Sequence, residues 1–166
     1  MTSPIFVLDA NVFIEAANRY YAFDLAPGFW ESLVYHAKNG FILSIDRVRG
    51  ELERVHDHLA AWVAGEFAFA FVSTDEVSIT EAYREVMTWV QHQNQFLEAA
   101  KADFASGADG WLLAFARARN CIIVTHEVPK PDIRRKVPIP NVCQQFGIGY
   151  VNTFEMLRRL GIRWVI

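Results

Sequence analysis

Asp9 and Glu127 each stand just beyond an apolar run. Ile5-Phe6-Val7-Leu8 leads into Asp9, and Cys121-Ile122-Ile123-Val124-Thr125 ends two residues before Glu127. Continuous runs of this kind read as strands buried on both faces. In open α/β sheets, ligands gather beyond the carboxyl ends of strands, where the strand order reverses. If these two strands are neighbours, Asp9 and Glu127 share that crevice. Glu51 sits inside an apolar arc: from Ile45 onward a helical period gathers Val48, Leu52, Val55, Leu59 and Trp62 on one side. Glu51 projects about 60° from Val48 and within about 40° of Val55. Glu53 and Asp57 point the other way, toward solvent. A carboxylate within an apolar face needs a cationic partner or a metal. Asp109 falls in the first turn of a helix that opens at Ser106 or Gly107.

Each acid also has a structural explanation. Asp9 can serve as a helix N-cap, and Glu51 can pair with Arg47 or Arg49. Asp109 lies where the helix dipole favours an acid. Taken together they form a set of oxygen ligands with no cation nearby in sequence, which is what Mg²⁺ or Mn²⁺ requires. Glu15 and Asp103 are further acids near these positions and read as solvated or structural.

The elements that must position these residues alternate. After the first strand, Asn11 to Tyr21 reads as helix, and Pro27-Gly28 opens a second helix ending at Asn39-Gly40. Phe41-Ile42-Leu43 is a second strand and Phe67 to Val72 a third. Ser73-Thr74-Asp75 then carries helix-start chemistry for a long helix marked by Ile79, Tyr83, Val86, Met87 and Val90. The helix bearing Asp109 runs through Leu112 and Phe115 to about Asn120. Ile148 to Val151 is a short last strand, and Thr153 starts a closing helix. Alternation of this kind implies an α/β fold with a parallel sheet and right-handed crossovers.

The chain has 166 residues, 52% hydrophobic and 14% aromatic, which excludes a disordered chain and fits one domain spanning 1–166. No apolar run is long enough for a membrane span, and the start has no secretion signal, so a cytoplasmic protein is expected. The two cysteines, Cys121 and Cys143, lack metal-ligand spacing and read as buried free thiols. A net charge of −3 gives no global attraction to nucleic acid, so phosphate contacts must come from a local basic patch or a bound ion.

Three stretches resemble the PIN-domain family. Val7-Leu8-Asp9-Ala10-Asn11-Val12 looks like its opening motif, and Gly50-Glu51-Leu52 like its helix-borne glutamate. Ala108-Asp109-Gly110-Trp111-Leu112-Leu113-Ala114-Phe115-Ala116, followed by Val124-Thr125-His126-Glu127, is similar to its most specific stretch. Order and spacing agree along nearly the whole chain. Tyr20-Tyr21 with Pro27-Gly28-Phe29-Trp30, and Val142-Cys143 through Ile162, look like an uncharacterised bacterial subgroup of PIN-like proteins. The family's fourth acid is usually aspartate, where this chain has Glu127.

The resemblance implies a three-layer PIN-like α/β fold, with a central parallel sheet of about five strands flanked by helices. It further implies a metal-dependent endoribonuclease, a toxin with a cognate antitoxin, acting on RNA through Mg²⁺ or Mn²⁺. Asp9 and Asp109 would be principal ligands, Glu51 a ligand or water orienter, and Glu127 a ligand of a second metal or a more distant carboxylate. Asn11 and Thr125 would hydrogen-bond these acids. Strand alternation points His126 away. Lys130, Arg134, Arg135 and Lys136 form either a phosphate-contacting loop or a solvated charge run. The aromatic load, including Tyr20, Tyr21, Phe29, Trp30 and Trp164, together with the habit of the family, leads us to expect a homodimer. A haloacid-dehalogenase-type phosphatase would need an aspartate where Asn11 stands. The remaining alternative is a non-catalytic PIN fold that binds RNA or a protein partner.

Overall fold

The computed structural model describes residues 3–55 and 57–165. Five parallel strands form one sheet in the order β3-β2-β1-β4-β5: β1 (Phe6–Leu8), β2 (Ile42–Ile45), β3 (Phe71–Val72), β4 (Ile122–Val124) and β5 (Tyr150–Val151). Nine α-helices flank it among the described residues, completing the three-layer PIN-like arrangement. None is long and apolar enough to cross a membrane. The chain builds outward from β1 to β3, then returns to lay β4 against the free side of β1. The strand order therefore reverses between β1 and β4. Register pairs Leu8 with Val124, and the Asp9 amide donates to the Val124 carbonyl at 3.0 Å. That pairing sets Asp9 beside Thr125 at the sheet's carboxyl edge.

Strand β1 is buried throughout, as its unbroken apolar run requires. Helix α1 (Ala10–Glu15) continues into a π-helical turn, Ala16–Tyr20, so the helix expected from Asn11 to Tyr21 is present with a changed winding at its end. Helix α2 (Pro27–Lys38) starts on its proline. Most of the aromatic load is spent inside. Phe29 and Trp30 are buried, Tyr21 stacks on Phe29 at 4.4 Å, and Phe23 stacks on Trp30 at 3.9 Å. Of the aromatics that motivated a dimer, only Tyr20 and Trp164 are exposed, 49% each, so aromatic content is no argument for assembly.

Several expected elements differ. The period from Ile45 to Trp62 is two helices, α3 (Asp46–Glu53) and α4 (His58–Ala64). Asp57 caps the second by accepting from the Ala60 amide at 2.9 Å. Val55 falls in the break and is 62% exposed, so it is no part of the apolar arc. The expected strand from Phe67 is a 3-10 turn, Ala68–Ala70, with only Phe71–Val72 pairing to β2. Its alternating phenylalanines mimic a strand, but Phe67 turns inward to stack on Trp62 at 4.6 Å. Ser73-Thr74-Asp75 does not start a helix directly. Thr74 is held by Asp46 through both its amide and its hydroxyl, and α5 (Val77–Gln91) begins after Glu76. Helix α6 (Glu98–Ser106) and helix α8 (Ile139–Phe146) were not anticipated. Helix α7 (Asp109–Arg119) ends at Asn120 in the left-handed conformation, and α9 (Thr153–Arg159) is capped by Asn152. Helix α7 packs along α5 closely enough that a Cβ on Gly110 would lie 3.0 Å from a Tyr83 ring carbon.

Candidate functional site

The four acids arrive from four elements at the strand-order reversal. Asp9 follows β1, is 3% exposed, and begins α1 without a side-chain capping bond. The N-cap explanation therefore does not account for its carboxylate. Instead its Oδ2 accepts from the Thr125 hydroxyl at 3.0 Å, and the same hydroxyl oxygen accepts from the Glu127 amide at 3.2 Å. Thr125 thus links the acids at the ends of β1 and β4, as the sequence suggested. Asn11 does not share that role. Its side chain is exposed and makes no hydrogen bond to these carboxylates among the described residues, because the first turn of α1 carries it away from the sheet edge.

Glu51 reaches the site from α3. Arginine pairing does not explain it, since Arg49 binds Glu53 at 2.7 Å and Arg47 lies over the Trp111 ring at 4.3 Å. Glu51 Oε1 accepts instead from the Ala108 amide at 3.0 Å. This caps α7 from across the chain, satisfying one of its unpaired N-terminal amides. Asp109, the next residue, makes no capping bond. We expect Glu51→Ala to destabilise the protein by about 1–3 kcal/mol through the stranded amide, while Glu51→Gln keeps an acceptor and melts near wild type. Thermal melts of both variants check this, and a Glu51→Ala protein as stable as wild type would show that the bond does not hold α3 to α7.

The acids lie close enough for their charges to act on one another. Burial, then the charges of Asp109 and Glu127, push Asp9 from the usual 3.8 up to about 8, against the hydrogen bonds from Thr125 and the Ala10 amide. Burial, then Glu127 and Glu51, raise Asp109 to about 6, with Lys136 opposing. Glu127 pairs with the Lys136 ammonium at 3.0 Å, and its buried Oε1 has no hydrogen bond of good alignment. Larger hollows lie elsewhere, about 410 Å³ beside Phe23 and His58 and about 530 Å³ beside Tyr83 and Met87, but no buried acid lines them. The acid cluster opens instead to two smaller clefts, about 240 Å³ at Asp109 and about 150 Å³ at Glu127.

The hard oxygen donors, buried and mutually repelling, fit a divalent cation chemically. Their placement is less complete. Among the described residues no three His, Cys, Asp or Glu side chains form a group that could hold an ion as they stand. The Lys136 ammonium contacts Glu127, and its charge is felt by Asp109 and Asp9.

Other expectations resolve simply. His126 turns from the cluster, bonds Thr153 Oγ1 at 3.0 Å, and lies near Tyr20 and Phe154. Glu15 pairs with Arg19 at 3.3 Å, and Asp103 is exposed at the rim of the Asp109 cleft. Cys121 and Cys143 are free and buried, their thiols pushed up by burial to about 11 and about 12, which excludes reactive thiolates. Lys130, Arg134 and Arg135 are exposed on a loop whose backbone is fixed. Gln95 donates to the carbonyls of Pro131 and Ile133, the Leu97 amide donates to the Arg134 carbonyl, and Asn141 clamps Lys130. The inward reach of Lys136 was missed. The only signal was its place directly before Val137-Pro138, which are buried and tether the end of the run.

A family model described as a domain of unknown function (DUF4411) matches residues 6–164. The chain belongs to this family. This DUF4411 chain is also similar to a chain in the crystal structure of VapBC2 from Rickettsia felis bound to a DNA fragment from their promoter. The two share 16% identity at a TM-score of 0.53, covering 89% of this chain and 98% of that one. Likeness at that identity concerns the fold, which is the PIN-like one already described. No curated protein matches the DUF4411 chain.

Proposed function

We propose that this protein is a cytoplasmic metal-dependent endoribonuclease, a PIN-like toxin held in check by a cognate antitoxin. The observation that carries the reading is a set of carboxylates, Asp9 buried and Glu51, Asp109 and Glu127 partly so, gathered where the strand order reverses, with Asp9 and Asp109 raised above their ordinary range by burial and neighbouring charge. Carboxylates brought together at such an electrostatic cost support a cationic ligand. In this reading Asp9, Asp109 and Glu51 hold Mg²⁺ or Mn²⁺, with Glu127 beside them. When bound by these residues, such an ion would supply an activated water and neutralise charge on the phosphate under attack. Thr125 fixes the orientation of Asp9, and the Ala108 amide fixes that of Glu51. The likeness to VapBC2, an assembly bound to promoter DNA, supports an antitoxin as partner.

Cleavage of end-labelled RNA by purified protein with Mn²⁺ or Mg²⁺, and its loss in EDTA, is the direct test. Retention of RNA without cleavage under either metal would favour the other reading, a binding module, to which the Lys136–Glu127 pair and the absence of a ready-made cage among the described residues lend some support.

The exposed arginines of the β4–α8 loop would place the RNA backbone. Replacing Arg134 and Arg135 with Ala should flatten the log–log salt dependence of RNA binding by about 1.4, at roughly 0.7 per lost phosphate contact on single strands. Fluorescence anisotropy across a salt series measures this. An unchanged slope would leave these side chains as solvated surface.

A further inference from the structure

Lys136 is the only cationic side chain among the described residues that pairs with any of the four acids. Its ammonium is 3.0 Å from Glu127, and its charge also reaches Asp109 and Asp9. The pair is asymmetric: the lysine side chain is 52% exposed and the glutamate 14%. A half-exposed lysine thus reaches a carboxylate that is mostly enclosed. The same residue lines both clefts of the site, the one at Asp109 and the one at Glu127, and stands between them. The backbone around it is anchored, with Val137 and Pro138 buried and the Arg134 carbonyl accepting from Leu97. The side chain can thus withdraw by changing rotamers, without moving the loop.

We propose that Lys136 is a built-in counter-cation that holds the place of the divalent ion and must swing out before that ion can enter. The idea rests on the metal-dependent reading above and deepens it. It accounts for why the oxygens do not form a ready cage: a monovalent ammonium satisfies Glu127 alone, and the other acids have nothing to close upon. It also makes Lys136 a determinant of metal affinity rather than a fixed structural pair. Ion entry then exchanges one cation for another.

The test is Mn²⁺ binding to the intact protein by isothermal titration calorimetry, for wild type, Lys136→Met and Lys136→Arg. Removing a unit charge roughly 6 Å from a divalent ion, screened as in water, should tighten binding about tenfold. Lys136→Arg keeps the competing charge and should bind no tighter than wild type. In wild type, Mn²⁺ should also speed acetylation of Lys136, followed by peptide mass spectrometry, because the amine loses its carboxylate partner. That arm decides the matter if Lys136→Met does not fold. Equal or weaker Mn²⁺ binding by Lys136→Met, or labelling that Mn²⁺ does not accelerate, would overturn the proposal while leaving the metal site standing. Absence of Mn²⁺ binding in wild type and variants alike would remove both.

Discussion

Asp9→Asn is expected to lower metal-dependent RNA cleavage by roughly a hundredfold or more, since disturbing even the hydrogen-bond partners of a metal ligand costs 10–100-fold. The amide keeps an oxygen for the Thr125 hydroxyl, so the link between the ends of β1 and β4 survives and the fold persists. What is lost is charge at the most buried point of the cluster. The variant should also lose a pH dependence. In the unfolded chain Asp9 titrates near 3.8, whereas in the fold it holds its proton to about 8. Between those values the folded protein binds more protons than the unfolded chain, so metal-free stability falls as pH rises through that window. Wild type should show this decline in thermal melts with EDTA, and Asp9→Asn should show a shallower one. Full cleavage activity in the purified variant would take Asp9 out of the mechanism.

The second large effect is stabilisation by metal. An ion that binds only the folded state adds about 2.7 kcal/mol at a hundredfold excess over its dissociation constant. Saturating Mn²⁺ should therefore raise the melting temperature, and more at pH 8 than at pH 6, because below about 6 both Asp9 and Asp109 hold protons that the ion must displace. Asp109→Asn should do two opposite things. Without metal it should be as stable as wild type or more so, since the charge it removes is opposed by burial, Glu127 and Glu51. The helix-dipole contribution lost is at most about 1 kcal/mol, and Asp109 makes no capping bond. With Mn²⁺ its gain should shrink. A variant that melts clearly lower in EDTA yet gains as much from Mn²⁺ would make Asp109 a helix-start residue and dissolve the four-acid site.

The sequence made the sheet and the reversal point legible because β1 and β4 are unbroken apolar runs ending in distinctive polar residues. The bond from Thr125 to Asp9 was expected only from the resemblance to PIN domains. Glu51 was picked out partly through an argument that fails, since Val55 lies in a helix break. Val48 and Leu52 still mark a buried face of α3, with Glu51 partly buried beside them. Helix α6 was invisible because its alanines carry no strong apolar stripe, and α8 because Pro138 and Pro140 read as loop although proline suits a first helical turn. Lys136 was read with its basic neighbours as either a phosphate-contacting loop or a solvated charge run, not as a partner of the acids. No periodicity governs such a loop, and only tertiary anchoring decides which of three adjacent cations turns inward.

The strand order also determines when the site can first exist during synthesis. Thr125 and Asp9 touch across 116 residues, and Glu51 and Ala108 across 57. A ribosome adding roughly 5–20 residues per second needs roughly 6–23 s to travel from Asp9 to Thr125 across those 116 residues. During that interval β1 can pair with β2 but has an open edge where β4 will lie, an apolar strand awaiting its neighbour. Asp109 is still missing for most of it and Glu127 for all of it. If the acids cut RNA as proposed, the growing chain is harmless to the message that encodes it until the last third has emerged. An antitoxin or chaperone that covers the waiting edge of β1 would meet the protein before it is armed.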